Sequence, residues 1–168
     1  MSMRPILGSS CARAASAAEM RYRIDRPIRG RQGARIVGLD PGADAIVDRI
    51  SQQHWGHARF LALAGPVGDT DGSESVPLRD SSGQPSNLLA ELTDADVVIM
   101  VATTGADAAA ATIIGAACTV RAIMTAGLVI GEHARIGPTV AALRPHARVL
   151  MVGGEERDVV DLLTALRA

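Results

Sequence analysis

Five short apolar runs punctuate the chain: Ile36–Leu39, Phe60–Ala64, Val97–Ala102, Ile123–Ile130 and Val149–Val152. They are near-continuous in Val, Ile, Leu, Met and Ala rather than alternating with polar residues. Strands buried on both faces of a parallel sheet read this way. Helix-like stretches separate most of them, so the pattern predicts an α/β fold: an open, mostly parallel Rossmann-like sheet of about five strands flanked by helices.

The helical stretches carry a different period. After the first run, Ala43, Ile46, Val47 and Ile50 follow the i, i+3, i+4, i+7 stripe of a helix packed on a sheet, closing between Gln52 and His57. Leu88, Leu89 and Leu92 predict a short helix with Ser86 as N-cap. An Ala-rich helix over about 107–119 has Ile113, Ile114 and Ala117 as its core stripe. Pro138 opens a short helix that runs to Arg144 and stops at Pro145. The last helix, about 155–167, sets Val159, Leu162, Leu163 and Leu166 on one face.

Two segments lack either period. Residues 1–33 hold Arg, Ser, Ala and Gly and are expected to form a flexible Arg-rich arm, with Met20–Ile28 as a possible edge strand; the α/β domain is expected over 34–168. Residues 65–87 are rich in Gly, Pro, Asp and Ser, and predict a long loop leaving the carboxyl end of a strand, where a lid over a site would sit.

Composition narrows the function classes. All seventeen basic residues are Arg, which excludes both a Walker-type phosphate lysine and a Schiff-base lysine. Eight of them fall in the first 35 residues, against Glu19 and Asp25, so an acidic protein partner for the arm is one expectation. A net charge of −1 and 2% aromatics provide neither the field nor the stacking platforms that nucleic acid needs. No apolar run approaches the roughly 18–20 residues of a membrane span. Cys11 and Cys118 lack a metal or redox spacing, so a cytoplasmic location is expected.

In an open α/β sheet, ligands bind beyond the carboxyl ends of the strands. Two strand-to-helix turns mark such places, Gly38-Leu39-Asp40-Pro41-Gly42-Ala43 and Thr103-Thr104-Gly105-Ala106-Asp107. Glycine lets backbone approach a ligand, and a helix N-terminus attracts phosphate. Against a GxGxxG dinucleotide frame the first turn has Asp40 and Ala43 at the second and third glycine positions. Asp40, Asp44 and Asp107 are each placed to cap a helix, and a carboxylate there repels an anion by about 4 kcal/mol at 4 Å and an effective dielectric near 20. A magnesium ion bridging through Asp40 or Asp107 would relieve that repulsion. His54 and His57 are three apart at a helix end with no third ligand; His133 and His146 stand alone; Cys118 reads as a core residue. No GxSxG elbow is present.

Taken in order, these segments resemble the nucleotide-binding half of the FtsZ/tubulin-like GTPases. Arg35–Ile50 is similar to that family's first strand, glycine loop and helix, His57–Leu63 to its second strand, Leu92–Met100 to the strand before its signature loop, and Arg144–Val152 to a later strand. The resemblance, over about 34–158, implies a GTP- or other nucleotide-binding pocket, with magnesium. The family's GGGTGTG loop corresponds to Thr103–Ala109, which retains only Gly105. The chain also stops before the family's central helix and second domain, so polymerisation-coupled hydrolysis does not carry over.

The expected function is thus a nucleotide-type ligand-binding domain without clear catalytic machinery, its site formed by Gly38, Asp40, Gly42, Ala43, Thr103, Thr104, Gly105, Ala106 and Asp107. The alternatives are a non-enzymatic regulatory or protein-interaction domain on a Rossmann-like scaffold, and a small NAD(P)-type oxidoreductase. A homo-oligomer is expected, since short α/β domains pair through sheet edges or Ala-rich helices.

Overall fold

Two parallel strands, β1 (Ala34–Gly38) and β5 (Val97–Ala102), form the middle of the sheet, with Ile36 opposite Ile99 and Gly38 opposite Val101. The structure is a computed structural model that describes residues 33–68, 72 and 76–168. The arm expected over 1–33, including Met20–Ile28, therefore lies outside the described residues apart from Gly33.

From β1 the chain passes through helix α1 (Pro41–Ser51) to β2 (Ala58–Leu63), on one side of β1. From β5 it passes through α3 (Ala108–Val120) to β6 (Met124–Ile130), on the other side. Helix α4 (Gly137–Leu143) then leads to β7 (Val149–Gly154), and α5 (Glu156–Ala165) closes the fold. These five strands are parallel, as the continuous apolar runs predict.

The sheet has seven strands, not five, and this corrects the reading of 65–87 as loop throughout. Within that segment β3 (Leu78–Asp80) pairs antiparallel with β2, and β4 (Pro85–Ser86) pairs with β3, giving the order β4-β3-β2-β1-β5-β6-β7. Three- and two-residue strands are too short to show a period. Their turn is nonetheless encoded. Asp80 accepts from Ser82 N (2.9 Å), Ser82 Oγ (2.7 Å) and Gln84 N (3.0 Å), and Gly83 takes φ +83°, a left-handed conformation that a side chain would strain.

Each face of the sheet carries its own core. Ile36, Ile99, Val101 and Leu128 pack against Ala43, Ile46, Val47 and Ile50 of α1 and Val159 and Leu163 of α5. Val37, Val98, Met100 and Val129 pack on the opposite face against α2 (Leu88–Leu92), α3 and α4. Burying an aliphatic side chain of this size contributes roughly 1.5–3 kcal/mol, so the stripe of α1 docks it firmly. Trp55 anchors the chain past that helix, donating to the Ile50 carbonyl (2.8 Å) and tilting against Phe60.

Several local expectations shift. The N-cap of α2 is Asn87, which accepts from Leu89 N and Ala90 N, because Ser86 is engaged with Glu91. Ile113 of α3 and Leu162 of α5 are half-buried, and Leu166 is exposed just beyond the end of α5 at Ala165. Cys118 is buried, and burial pushes its thiol up to about 11. Among the described residues no helix is long and apolar enough to cross a membrane.

Candidate functional site

The connections from β1 and β5 leave in opposite directions, so the sheet reverses its winding between these two strands. A crevice opens beyond their carboxyl ends, where open α/β sheets hold ligands. The two turns singled out from the sequence meet there. Leu39 N donates to Val101 O (2.9 Å), and Asp107 N donates to Leu39 O (3.1 Å). The crevice encloses about 230 Å³ and is lined by Leu39, Asp40, Asp44, Pro66, Gly105 and Asp107 among others.

Asp40 binds one turn to the other. It caps α1 by accepting from Ala43 N (2.9 Å), and it also accepts from Thr103 N (2.6 Å) and Thr103 Oγ1 (2.5 Å). With three donors on one buried carboxylate, Asp40 has little capacity left for a cation.

The glycines of the first turn serve packing. A Cβ at residue 38 would collide with Asp44 Oδ1, and one at residue 42 would lie 2.6 Å from Thr103 Oγ1. Gly38 thus lets α1 lie close on its own strand, and Gly42 lets the second turn close over the first. Ala43 is fully buried in the α1 core.

The second turn is open. Thr104 and Gly105 are exposed and Ala106 is half-buried, and the amides of all three lack a hydrogen-bond partner among the described residues. A Cβ at Gly105 would meet Asp40 Cβ at 3.7 Å, an ordinary contact, so this glycine is not required by packing. Asp107 caps α3, accepting from Ala110 N (3.0 Å), as expected.

Two charged residues at the crevice depart from the sequence expectation: Asp44, expected as a helix cap, and its partner Arg79, which carries no sequence signal of its own. Asp44 is not a helix cap: it sits one turn into α1, with Oδ1 buried and without a hydrogen-bond partner and Oδ2 accepting from Arg79 (3.4 Å). Burial pushes its carboxyl up to about 6, partly offset by Arg79. Arg79 comes from β3, the hairpin that the sequence showed as loop. Its only advance signal is the Asp80–Gly83 turn that positions it.

The histidines do not join the crevice. His54 and His57 are exposed beyond the end of α1, and His146 lies near Thr112 on α3. Among the described residues no group of three or more His, Cys, Asp or Glu is arranged to hold a metal ion. A larger hollow, about 390 Å³, lies at the amino ends of the strands by Gly33, Ala34, Asp96 and Met124, away from both turns.

A second charged cluster is structural. Glu91 of α2 is 7% exposed and takes a two-pronged contact from Arg59 (Nη2 to Oε1 2.8 Å, Nε to Oε2 2.8 Å), with Ser86 Oγ at 2.6 Å. Arg35 Nε is 3.2 Å from Glu91 Oε2 but lacks hydrogen-bond alignment, and burial pushes the Arg35 guanidinium down. No protein-family model matches the chain, and no curated protein is significantly similar to it.

Proposed function

We propose that this domain binds a ligand of nucleotide type at the β1/β5 crevice and contributes binding rather than chemistry. The observation carrying this reading is the asymmetry of the two turns: the first is closed by Asp40, while the second presents three amides without a partner among the described residues, just ahead of the Asp107 cap of α3. An anionic group of the ligand lies on the Thr104–Ala106 amides, where backbone N–H groups and the dipole of α3 favour it. A sugar or other hydroxyl-bearing part points into the crevice, towards Asp107, whose second carboxylate oxygen accepts hydrogen bonds.

At about 230 Å³ the crevice is smaller than the roughly 300–1,000 Å³ of drug-sized pockets, so it takes one part of the ligand while the rest lies across the exposed turn. With Asp40 saturated, magnesium enters with the phosphates it accompanies and meets Asp107 from the solvent side. GTP and its analogues are the first ligands to test, on the FtsZ/tubulin-like resemblance. The test is a thermal-shift series with GTP, ATP, NAD and NADP, each with and without magnesium. At least one should raise the melting temperature, and a folded protein indifferent to all of them overturns the reading.

Closure of the first turn favours a second reading, a protein-interaction domain on a Rossmann-like scaffold that engages an acidic partner through its Arg-rich N-terminal segment. Removing residues 1–32 would then abolish partner capture and leave melting unchanged.

A further inference from the structure

We propose that β7 is a dimerisation edge, pairing antiparallel with β7 of a second copy of this chain across a twofold axis. The two edges of the sheet are built differently. At one, β4 is two residues long and contains Pro85, which has no N–H to offer; short strands and proline are ordinary protection against edge-to-edge pairing. At the other, β7 has six residues without proline or charge, and among the described residues no strand lies on its outer side.

The exposed side chains on and beside this edge are apolar. Val149 is 54% exposed, Met151 37% and Val152 38%, and Met124 of the neighbouring β6 is 52%. Register sets Val149 opposite Ala126 and Met151 opposite Leu128, so both face the side of the sheet that carries α1 and α5. Helix α5 packs back into the α1 core through Val159 and Leu163, with the exposed Arg49–Glu156 pair (2.7 Å) beside them, and leaves Val149 and Met151 bare. The Gly153 irregularity ends the regular ladder, so pairing uses the residues before it.

The ends of the strand select a copy of itself. Arg148 precedes β7 and Glu155 follows it, both exposed; Glu155 also lies 3.3 Å from Arg157 in a solvent-exposed pair that holds it only weakly. Antiparallel pairing brings the Arg148 end of each strand alongside the Glu155 end of the other, so opposite charges meet at both ends. A twofold axis repeats every such contact, the self-complementarity that an isologous interface requires. Met124 and Met151 of both copies then form one apolar floor between the two α5 helices, adding to the area of the ladder.

Sedimentation velocity on the full chain across a concentration series tests this. The wild type should be a dimer. Met151→Lys should be a monomer with unchanged circular dichroism and melting. Arg148→Glu or Glu155→Arg alone should weaken dimerisation about tenfold or more, and the double exchange should restore it, since close opposite charges across an interface couple strongly. Asp158 holds the backbone N–H of residue 155 at the start of α5 in every variant, and circular dichroism of Glu155→Arg checks that the helix start survives loss of the cap side chain and its contact with Arg157. A wild type that is monomeric throughout overturns the proposal, whether the edge is covered by the chain's own N-terminal residues or by a different protein. So does a dimer indifferent to all four variants.

Discussion

The Asp40 carboxylate accepts both the amide and the hydroxyl of Thr103, tying the turn after β1 to the turn after β5 across the reversal of the sheet. The same group caps α1. Removing it deprives three donors at once. A lost N-cap costs about 0.5–2 kcal/mol, and each lost hydrogen bond to a charged group about 1.5–3 kcal/mol. Asp40→Ala is therefore expected to destabilise by at least about 3.5 kcal/mol in urea unfolding. Thr103→Val, which keeps the amide contact, should cost about half of that.

Two glycines of the site should separate by role. Gly38→Ala forces Asp44 and the start of α1 away from the strand, an overpacking that typically costs 1–3 kcal/mol. Gly105→Ala meets only ordinary contact and should leave stability within about 0.5 kcal/mol, as surface substitutions usually do. Equal losses at both positions would show that the second turn is as closed as the first.

Asp44 makes a pH-dependent contribution with a definite sign. Its carboxyl rises from 3.8 to about 6 on folding, so the native state binds the extra proton between those values. Stability from this group is fully retained below pH 3.8 and declines as pH rises towards 6 and beyond, by at most roughly 3 kcal/mol. Asp44→Asn removes the ionisation. The stability difference, variant minus wild type, should grow between pH 4 and 6 and level off by pH 7.5. A difference that is flat with pH would mean that Arg79 fully compensates the burial.

Glu91 is the buried anion between Arg35 and Arg59, and removing one partner of a buried pair leaves the other charge uncompensated. Glu91→Ala should cost about 3–5 kcal/mol, chiefly through Arg35, since Arg59 reaches solvent. Arg35→Met in the same background should recover part of the loss by removing the stranded guanidinium. Chemical denaturation of the two variants checks both expectations.

The sheet's centre is legible in the sequence because β1, β5 and β6 are buried on both faces, and their apolar runs have no other use. Helix α1 is legible because Ala43, Ile46, Val47 and Ile50 bury one stripe. Strands β3 and β4 are not, because Leu78–Asp80 and Pro85–Ser86 are too short for a period to appear, and Arg79 is hidden with them. Asp44 resembles a cap because acids in the first turn usually serve the helix end, whereas this one faces Gly38 on the strand beneath. The run Val149–Val152 reads as a strand buried on both sides, yet β7 is an edge; composition alone does not distinguish the two. The glycine turns were recognised, but not that Gly38 and Gly42 bring chain against chain while Gly105 alone stays open.

Calorimetric titration of the folded chain with GTP, ATP, NAD and NADP, each with and without magnesium, tests the account most directly when run beside Gly105→Glu. At least one ligand should bind the wild type, and the variant, which sets a carboxylate on the open turn without disturbing the fold, should lose that binding. No heat from any of them, or a binding curve that the variant leaves unchanged, would contradict a nucleotide-type site at the Thr104–Ala106 turn.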